Sequence, residues 1–182
     1  MSSLTEAIAV FTAFESQMHA VEKSGDVLVA ALKAGHKVLT CGNGGSACDA
    51  VHLAEELTGR FKAERRSLPG ISLCSDTGAI TCIGNDYGFD KIFSRQVEGL
   101  GQAGDILVGF TTSGNSKNVL TAFEAAKKRG LITVMVAGGT GGAGKGACDY
   151  EIIVPSSSTA RIQEVHTFVL HRWLEIVETQ TW

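Results

Sequence analysis

The strongest constraint on the fold is an alternation of short, wholly apolar runs with longer segments of helical periodicity. The runs are apolar along their whole length, which is typical of parallel strands buried on both faces. Strands that alternate with helices favour one sheet with helices on each face. We therefore predict a three-layer α/β/α sandwich of the doubly wound, flavodoxin-like kind. Its five-stranded parallel sheet is expected at residues 37–41, 71–74, 106–110, 132–137 and 150–154.

The helical segments divide the chain into an N-terminal region and an α/β core. Residues 1–34 lack proline and place Phe11, Phe14 and Met18 on one stripe, which predicts one or two helices. This apolar region has no evident partner in the sheet, so we expect it to pack against a second subunit. Residues 35–182 form the core of a single domain, since 182 residues leave little room for another. Further helices are predicted at 46–59, 90–99, 116–129 and 159–179.

Composition and charge argue against several classes of partner. The net charge is -3 and no basic block occurs, so nucleic acid is not an expected partner. No apolar run approaches the roughly 20 residues that span a bilayer, and the N-terminus lacks the pattern of a signal peptide. We therefore expect no membrane partner and a cytoplasmic location. The five cysteines include no Cys-x-x-Cys pair, which predicts reduced, mostly buried thiols.

Two loops of small residues follow predicted strands and precede predicted helices. The first runs from Cys41 to Ser46 (CGNGGS), and the second runs from Thr111 to Ser116 (TTSGNS). Glycines let backbone N–H groups approach an anion, and a helix N-terminus adds unsatisfied donors, so this pattern is typical of phosphate sites. Ser46 is the expected N-cap of its helix. The alternative is that both loops are ordinary turns with capping serines.

A third glycine-rich stretch, residues 138–146, resembles a nucleotide-binding P-loop without completing it. Gly139 and Lys145 have the spacing of that motif, but Gly146 stands where the magnesium-binding Ser or Thr belongs. No helix is predicted to follow before the next strand. We therefore interpret the stretch as a flexible loop and reject nucleotide hydrolysis.

Two helices carry side chains that could bind a divalent metal. His52 and Glu56 are four residues apart and share a helix face. Gln163 and His171 are eight residues apart, about 80° of rotation at roughly 100° per residue, so one broad face holds both. Two imidazoles with carboxylate and amide oxygens form a set that suits zinc. Each residue alone is as readily an ordinary surface or core group, and spacing does not show whether the helices meet.

Seven motifs together resemble the phosphoheptose isomerases of the sugar-isomerase (SIS) domain superfamily, over residues 30–178. The resemblance implies conversion of sedoheptulose 7-phosphate to D-glycero-D-manno-heptose 7-phosphate, the first step in making nucleotide-activated heptose for bacterial lipopolysaccharide. It also implies a homotetramer with active sites at subunit boundaries and one zinc ion per subunit. The motifs are residues 41–46, 49–52, 55–60, 83–86, 93–95, 112–116 and 161–164.

The same resemblance assigns expected roles to individual residues. Glu56 and His171 match the family's catalytic acid–base pair. The family's metal positions fall on His52, Glu56, Gln163 and His171. Its phosphate-binding hydroxyls fall on Ser46, Thr111, Ser113 and Ser116. Its other substrate contacts fall on Asn43, Gly44, Gly45, Glu56, Asn85, Asp86, Thr112 and Gln163. Ala47 departs from the pattern, because some members have histidine there.

Two other functions share this fold and remain alternatives. One is a SIS tetramer that binds the bacterial replication initiator without catalysis. That subfamily lacks counterparts of Glu56 and His171, so their presence favours an enzyme. The other is a different SIS enzyme acting on an amino-sugar phosphate or a cell-wall sugar phosphate. The compact single domain and the helix start at Ile162 to Glu164 argue against it.

Overall fold

A computed structural model describes residues 2–182, and it confirms the predicted parallel sheet. The strands lie side by side in the order β2-β1-β3-β4-β5, and every neighbouring pair is parallel. This order brings the carboxyl ends of β1 and β3 next to each other. The strands are β1 (Val38–Gly42), β2 (Gly70–Ser72), β3 (Ile106–Thr111), β4 (Ile132–Gly138) and β5 (Tyr150–Val154).

The helices confirm most of the predicted segments and add one. The prediction at 90–99 was partly wrong, because its first residues form a 3-10 turn at Phe89–Lys91 before the helix. Helix α4 was not predicted, and none of its residues is fully buried. The helices are α1 (Ser3–Phe14), α2 (Met18–Lys33), α3 (Gly45–Thr58), α4 (Thr77–Tyr87), α5 (Ser94–Leu100), α6 (Lys117–Lys128) and α7 (Thr159–Glu178).

Two hydrophobic layers confirm the three-layer architecture. Successive strand residues point to opposite faces, so Val108 packs in one layer and Leu107 in the other. The first layer joins the sheet to α2, α3 and α7. The second joins it to α5 and α6. The helix pair α3 and α7 on the first face carries the predicted metal residues.

The N-terminal region only partly matches its predicted role. Trp173 of α7 is fully buried, and its indole N–H donates to Val21 O and Ser24 Oγ at 3.1 Å each. Helix α2 therefore packs within its own chain, and the expectation that the whole region lacks a partner there was wrong. Helix α1 does leave apolar side chains in solvent, with Leu4 70% exposed and Ile8 58% exposed.

The structure also bears on the expected burial of the cysteines and on the expected absence of a membrane-spanning helix. Only Cys41 is buried, while Cys48 and Cys82 are exposed, so the prediction of mostly buried thiols was wrong. All five cysteines are free. Within residues 2–182, the structure contains no helix with the length and hydropathy needed to cross a membrane.

Candidate active site

The two small-residue loops meet at the carboxyl edge of the sheet. The first loop (residues 41–46) extends from the end of β1. The second loop (residues 111–116) extends from the end of β3, the strand that pairs with β1. Asn43 of the first loop and Asn118 at the start of α6 exchange amide hydrogen bonds. Asn43 Nδ2 donates to Asn118 Oδ1 at 2.9 Å, and Asn118 Nδ2 donates to Asn43 Oδ1 at 2.8 Å. The two loops therefore lie side by side within one chain.

The first loop turns at Gly44 and leads directly into α3. Gly44 has φ +57, a conformation that favours glycine, and it occupies the N-cap position. Ser46 lies inside the first turn and is only 3% exposed. The expectation that Ser46 is the N-cap was therefore wrong, because the positive φ places the helix boundary two residues earlier. The first turn of α3, including Gly45, follows this bend.

The second loop collects hydroxyl groups at the start of α6. Thr111 Oγ1 donates to Ser116 Oγ at 3.1 Å, and the backbone N–H of Asn115 donates to Ser113 Oγ at 3.1 Å. Thr112 is half-buried and Ser113 is exposed. Hydroxyls beside a helix N-terminus offer donors and a favourable dipole for an anion. The second loop is therefore suited to a phosphate group.

The glycine-rich stretch at 138–146 supports the second loop. The N–H of Gly144 donates to Gly114 O at 3.0 Å, and the N–H of Ala143 donates to Asn115 Oδ1 at 2.9 Å. Strand β5 follows the stretch without an intervening α-helix, as predicted. We expected a flexible loop here. Instead, the stretch is hydrogen-bonded to the second loop and stabilises it.

A polar seam runs between α3 and α7 and contains most of the remaining site residues. At its first level, a methyl placed on Gly45 would lie 2.7 Å from Cδ of Gln163, so the Gln163 amide rests against that glycine. At the second level, Thr167 Oγ1 donates to Asp49 Oδ1 at 2.9 Å. At the third, the rings of His52 and His171 meet edge to face with centroids 5.0 Å apart. We call this arrangement the α3–α7 seam.

The third level of the seam is a cluster of imidazole and carboxylate groups. His52 Nε2 lies 3.4 Å from Glu56 Oε1. His52, Glu55 and Glu56 offer ligand atoms within 4.8 Å of one another. Burial and the neighbouring His52 lower the pKa of His171, which keeps its ring neutral and able to bind a metal. Two imidazoles beside carboxylates are a donor set that fits zinc.

A short loop after α3 holds an aromatic ring against this cluster. Phe61 stacks on the His171 ring, with centroids 5.3 Å apart. The Glu178 carboxylate accepts from the backbone N–H groups of Phe61, Lys62 and Ala63 at 3.0–3.1 Å. Arg65, only 5% exposed at its side chain, lies 4.0 Å from Glu178 and donates to carbonyls at the end of α3. This loop therefore fixes the ring that covers His171.

Not all the expected site residues meet within one chain. The Gln163 amide rests on Gly45, seven residues before His52, which is about 10 Å of helix rise. Asn85 donates to the adjacent Asp86 at 2.7 Å, and both are exposed near the end of α4. Across residues 2–182, no hydrogen bond joins this pair to the two loops. One chain thus provides two separate sets of site residues. One set lies on the two loops at the carboxyl edge of the sheet, and the other is the His52, Glu56 and His171 cluster.

Sequence reasoning missed four residues that shape the site: Asp49, Phe61, Thr167 and Glu178. A signal for Thr167 was present, because Gln163, Thr167 and His171 recur every four residues along α7. Asp49, which pairs with Thr167, likewise precedes His52 by one turn. The contacts of Phe61 and Glu178 join residues more than a hundred positions apart, and spacing gives no sign of them.

Comparisons with known proteins agree with this geometry. The SIS domain family model matches residues 4–138. A phosphoheptose isomerase from Campylobacter concisus is 52% identical over 168 residues, covering 92% of this chain and 89% of the relative. A phosphoheptose isomerase structure from Neisseria gonorrhoeae has a TM-score of 0.92 at 39% identity, covering 97% of this chain and 95% of that one. One from Francisella tularensis has a TM-score of 0.90 at 35% identity, covering 99% and 100%.

Proposed function

The chain belongs to the SIS domain family and, within it, to the phosphoheptose isomerases, and from this membership we propose that it converts sedoheptulose 7-phosphate into D-glycero-D-manno-heptose 7-phosphate. This is the first step toward nucleotide-activated heptose for lipopolysaccharide. The observation that carries the proposal is that one chain provides both the His52, Glu56 and His171 cluster and two loops suited to a phosphate group. The five free thiols support the cytoplasm as its location.

In this proposal, the two loops bind the phosphate and the adjoining sugar. Ser46, Thr111, Ser113 and Ser116 supply the phosphate hydroxyls, and the starts of α3 and α6 supply a favourable dipole. The amide pair between Asn43 and Asn118 keeps the loops together. The remaining substrate contacts are assigned to Asn43, Gly44, Gly45, Asn85, Asp86, Thr112 and Gln163.

The cluster then performs the isomerisation. The Glu56 carboxylate, with its side chain 17% exposed, removes a proton from the carbon next to the ketose carbonyl and returns it to the neighbouring carbon. The His171 imidazole moves a proton between the two oxygens of the enediol. A zinc ion at His52, Glu56 and His171, one per subunit, with Gln163 reaching it from a second subunit, would stabilise the negative charge of the enediolate. Because metal binding weakens a carboxylate as a base, Glu56 has two competing roles.

We further propose that each active site combines two subunits of a homotetramer. Ser46 and Glu56 are ten residues apart on α3, or about 15 Å of helix rise. The Gln163 amide lies about 10 Å of helix rise from His52, and Asn85 and Asp86 form no hydrogen bond with either loop among residues 2–182, so one chain does not gather the whole expected set. Assembly is supported by exposed apolar side chains, with Tyr87 54% and Phe89 61% exposed.

The test mixes two defective variants. Ser46→Ala is expected to weaken phosphate binding, while Glu56→Gln nearly abolishes turnover but still binds the sugar phosphate. Each variant alone is expected to convert sedoheptulose 7-phosphate slowly. Tetramers co-expressed from both, and purified through two different tags, should recover about one quarter of the wild-type rate, since random assembly restores that share of shared sites.

The outcomes separate the parts of this proposal. No recovery in the mixed tetramers contradicts the shared site and leaves the isomerase activity standing. Wild-type protein that forms no aldose from sedoheptulose 7-phosphate, with or without added zinc, contradicts the activity itself. That second result would favour a SIS tetramer that binds another protein without catalysis. Light scattering that gives a stable monomer at micromolar concentration contradicts the tetramer.

A further inference from the structure

The middle level of the α3–α7 seam contains a buried carboxylate with one unused oxygen. Asp49 is 6% exposed, and its Oδ1 accepts the hydroxyl of Thr167 at 2.9 Å. Its Oδ2 is buried and has no hydrogen-bond partner among the described residues. Burial raises the pKa of Asp49, and the Thr167 hydroxyl and the neighbouring His52 only partly oppose this rise. A buried acceptor without a donor is rare in native structures and calls for an explanation.

A candidate donor is the ring of His52, one helical turn further along α3, which is not hydrogen-bonded to Asp49 in this structure. Residues three apart on a helix are neighbours, and helical side chains lean back toward the preceding turn. The Nε2 atom of His52 faces Glu56 Oε1 at 3.4 Å, so Nδ1 is the ring nitrogen that remains. When Nε2 of a histidine binds a metal ion, the ring proton sits on Nδ1. That N–H is commonly donated to a carboxylate or carbonyl behind the ligand.

We propose that Asp49 is a positioning residue for the metal centre, whose Oδ2 accepts a hydrogen bond from Nδ1–H of His52 while Oδ1 remains on Thr167. The inference rests on the proposed zinc site. It gives the unused oxygen a partner and connects α7, through Thr167 and Asp49, to the orientation of the His52 ring. The second and third levels of the seam are then joined by a hydrogen bond, and Asp49 orients the His52 ring without contacting the substrate.

Asp49→Asn tests this hydrogen bond in the full-length protein. The amide keeps an oxygen for Thr167 but places an NH2 group opposite the His52 N–H. Zinc affinity, measured by competition with a chelator of known affinity, is expected to fall 10- to 100-fold. The KM for sedoheptulose 7-phosphate at saturating zinc should change little, because the phosphate loops are intact. Asp49→Ser, which keeps a hydroxyl for Thr167 and removes Oδ2, provides a second variant with the same expected loss.

Asp105→Asn is the matched control, since Asp105 is also a buried carboxylate but lies before β3, at the amino ends of the strands and away from the site. Both Asn variants are expected to lower the Tm, and only Asp49→Asn should weaken zinc binding. Wild-type zinc affinity in both Asp49 variants overturns the inference and leaves the proposed isomerase intact. A wild-type protein that binds no zinc overturns the metal centre and this inference together. Turnover by that metal-free protein then decides the isomerase activity separately.

Discussion

Gly45 offers a way to displace one site residue without disturbing the fold. It is the first residue of α3, and a methyl added there would lie 2.7 Å from Cδ and 2.8 Å from Oε1 of Gln163. Normal contact requires about 3.4 Å or more, so in Gly45→Ala the Gln163 amide must move by roughly 1 Å. A misplacement of about 1 Å in a substrate-positioning group lowers turnover roughly 100-fold. We therefore expect kcat/KM to fall about 100-fold, or about 2.7 kcal/mol of transition-state stabilisation.

The same substitution should leave stability nearly unchanged. Gly45 is not among the glycines with positive φ, so alanine fits its backbone. Replacing glycine by alanine at such a position typically stabilises a protein by about 0.4–1 kcal/mol. The atoms that must move belong to the end of a flexible, half-buried side chain. Thermal unfolding should therefore show a Tm close to that of the wild type, while steady-state kinetics with sedoheptulose 7-phosphate show the loss.

Two further variants complete the test. Gly99→Ala in α5 is the control, because no atom lies within 4 Å of a methyl at that position, and it should leave kcat/KM unchanged. The single variant Gln163→Ala and the double variant Gln163→Ala with Gly45→Ala should have equal rates, because the added methyl acts only through the Gln163 side-chain amide. Wild-type kcat/KM in Gly45→Ala would refute the reasoning. A double variant much slower than Gln163→Ala would show that the methyl acts through the loop instead.

Two stability predictions follow from buried charges. Burial alone would raise the pKa of Asp105, but hydrogen bonds from Lys37 and Gln102 outweigh it and hold the pKa below its usual value. Asp105→Asn should therefore lower the free energy of unfolding by about 2–3 kcal/mol at pH 7. In urea titrations at fixed protein concentration, the difference should shrink as the pH falls from the ordinary pKa of aspartate, where the unfolded carboxylate is protonated, toward the lower pKa of folded Asp105. A difference that stays constant at acid pH would contradict this. Glu178→Ala leaves the buried Arg65 guanidinium without its carboxylate partner, so the free energy of unfolding should fall by about 3 kcal/mol. A fall below about 0.5 kcal/mol would show that the carbonyls around Arg65 satisfy it alone.

Strand positions were predictable because burial on both faces makes a parallel strand apolar at every residue. Strands β3 and β4 each begin at the residue where the apolar run begins. The run at 71–74 was assigned too late, since β2 ends at Ser72 and Leu73 packs beyond the ladder. Helix α4 was missed because its apolar face is short: only Ile80 and Ile83, both half-buried, pack against the second layer. Its N-cap was a usable sign, because Asp76 accepts from the N–H of Ala79 at 2.9 Å.

The two loops of the candidate site were predicted from their positions after strands β1 and β3, because a parallel sheet gathers its loops there. The meeting of α3 with α7 could not be derived, because His52 and His171 are 119 positions apart and spacing within each helix says nothing of their contact. The N-cap at Gly44 depended on a positive φ that neighbouring glycines in the loop could equally have taken. The tie between Asn43 and Asn118 also depends on which strands are neighbours.

The hydrogen-bonded pair of Asn43 and Asn118 also affects how readily Asn43 is deamidated. Asn43 is followed by Gly44, and an asparagine before glycine loses its side-chain amide most readily, since the unhindered backbone nitrogen of the glycine attacks it to form a cyclic imide. Ring closure requires the Asn43 side chain to turn onto that nitrogen and to release both hydrogen bonds to Asn118. The product, aspartate or isoaspartate, would bring a negative charge into a loop suited to an anion. The pairing of two amides therefore protects the most chemically fragile dipeptide of the loop.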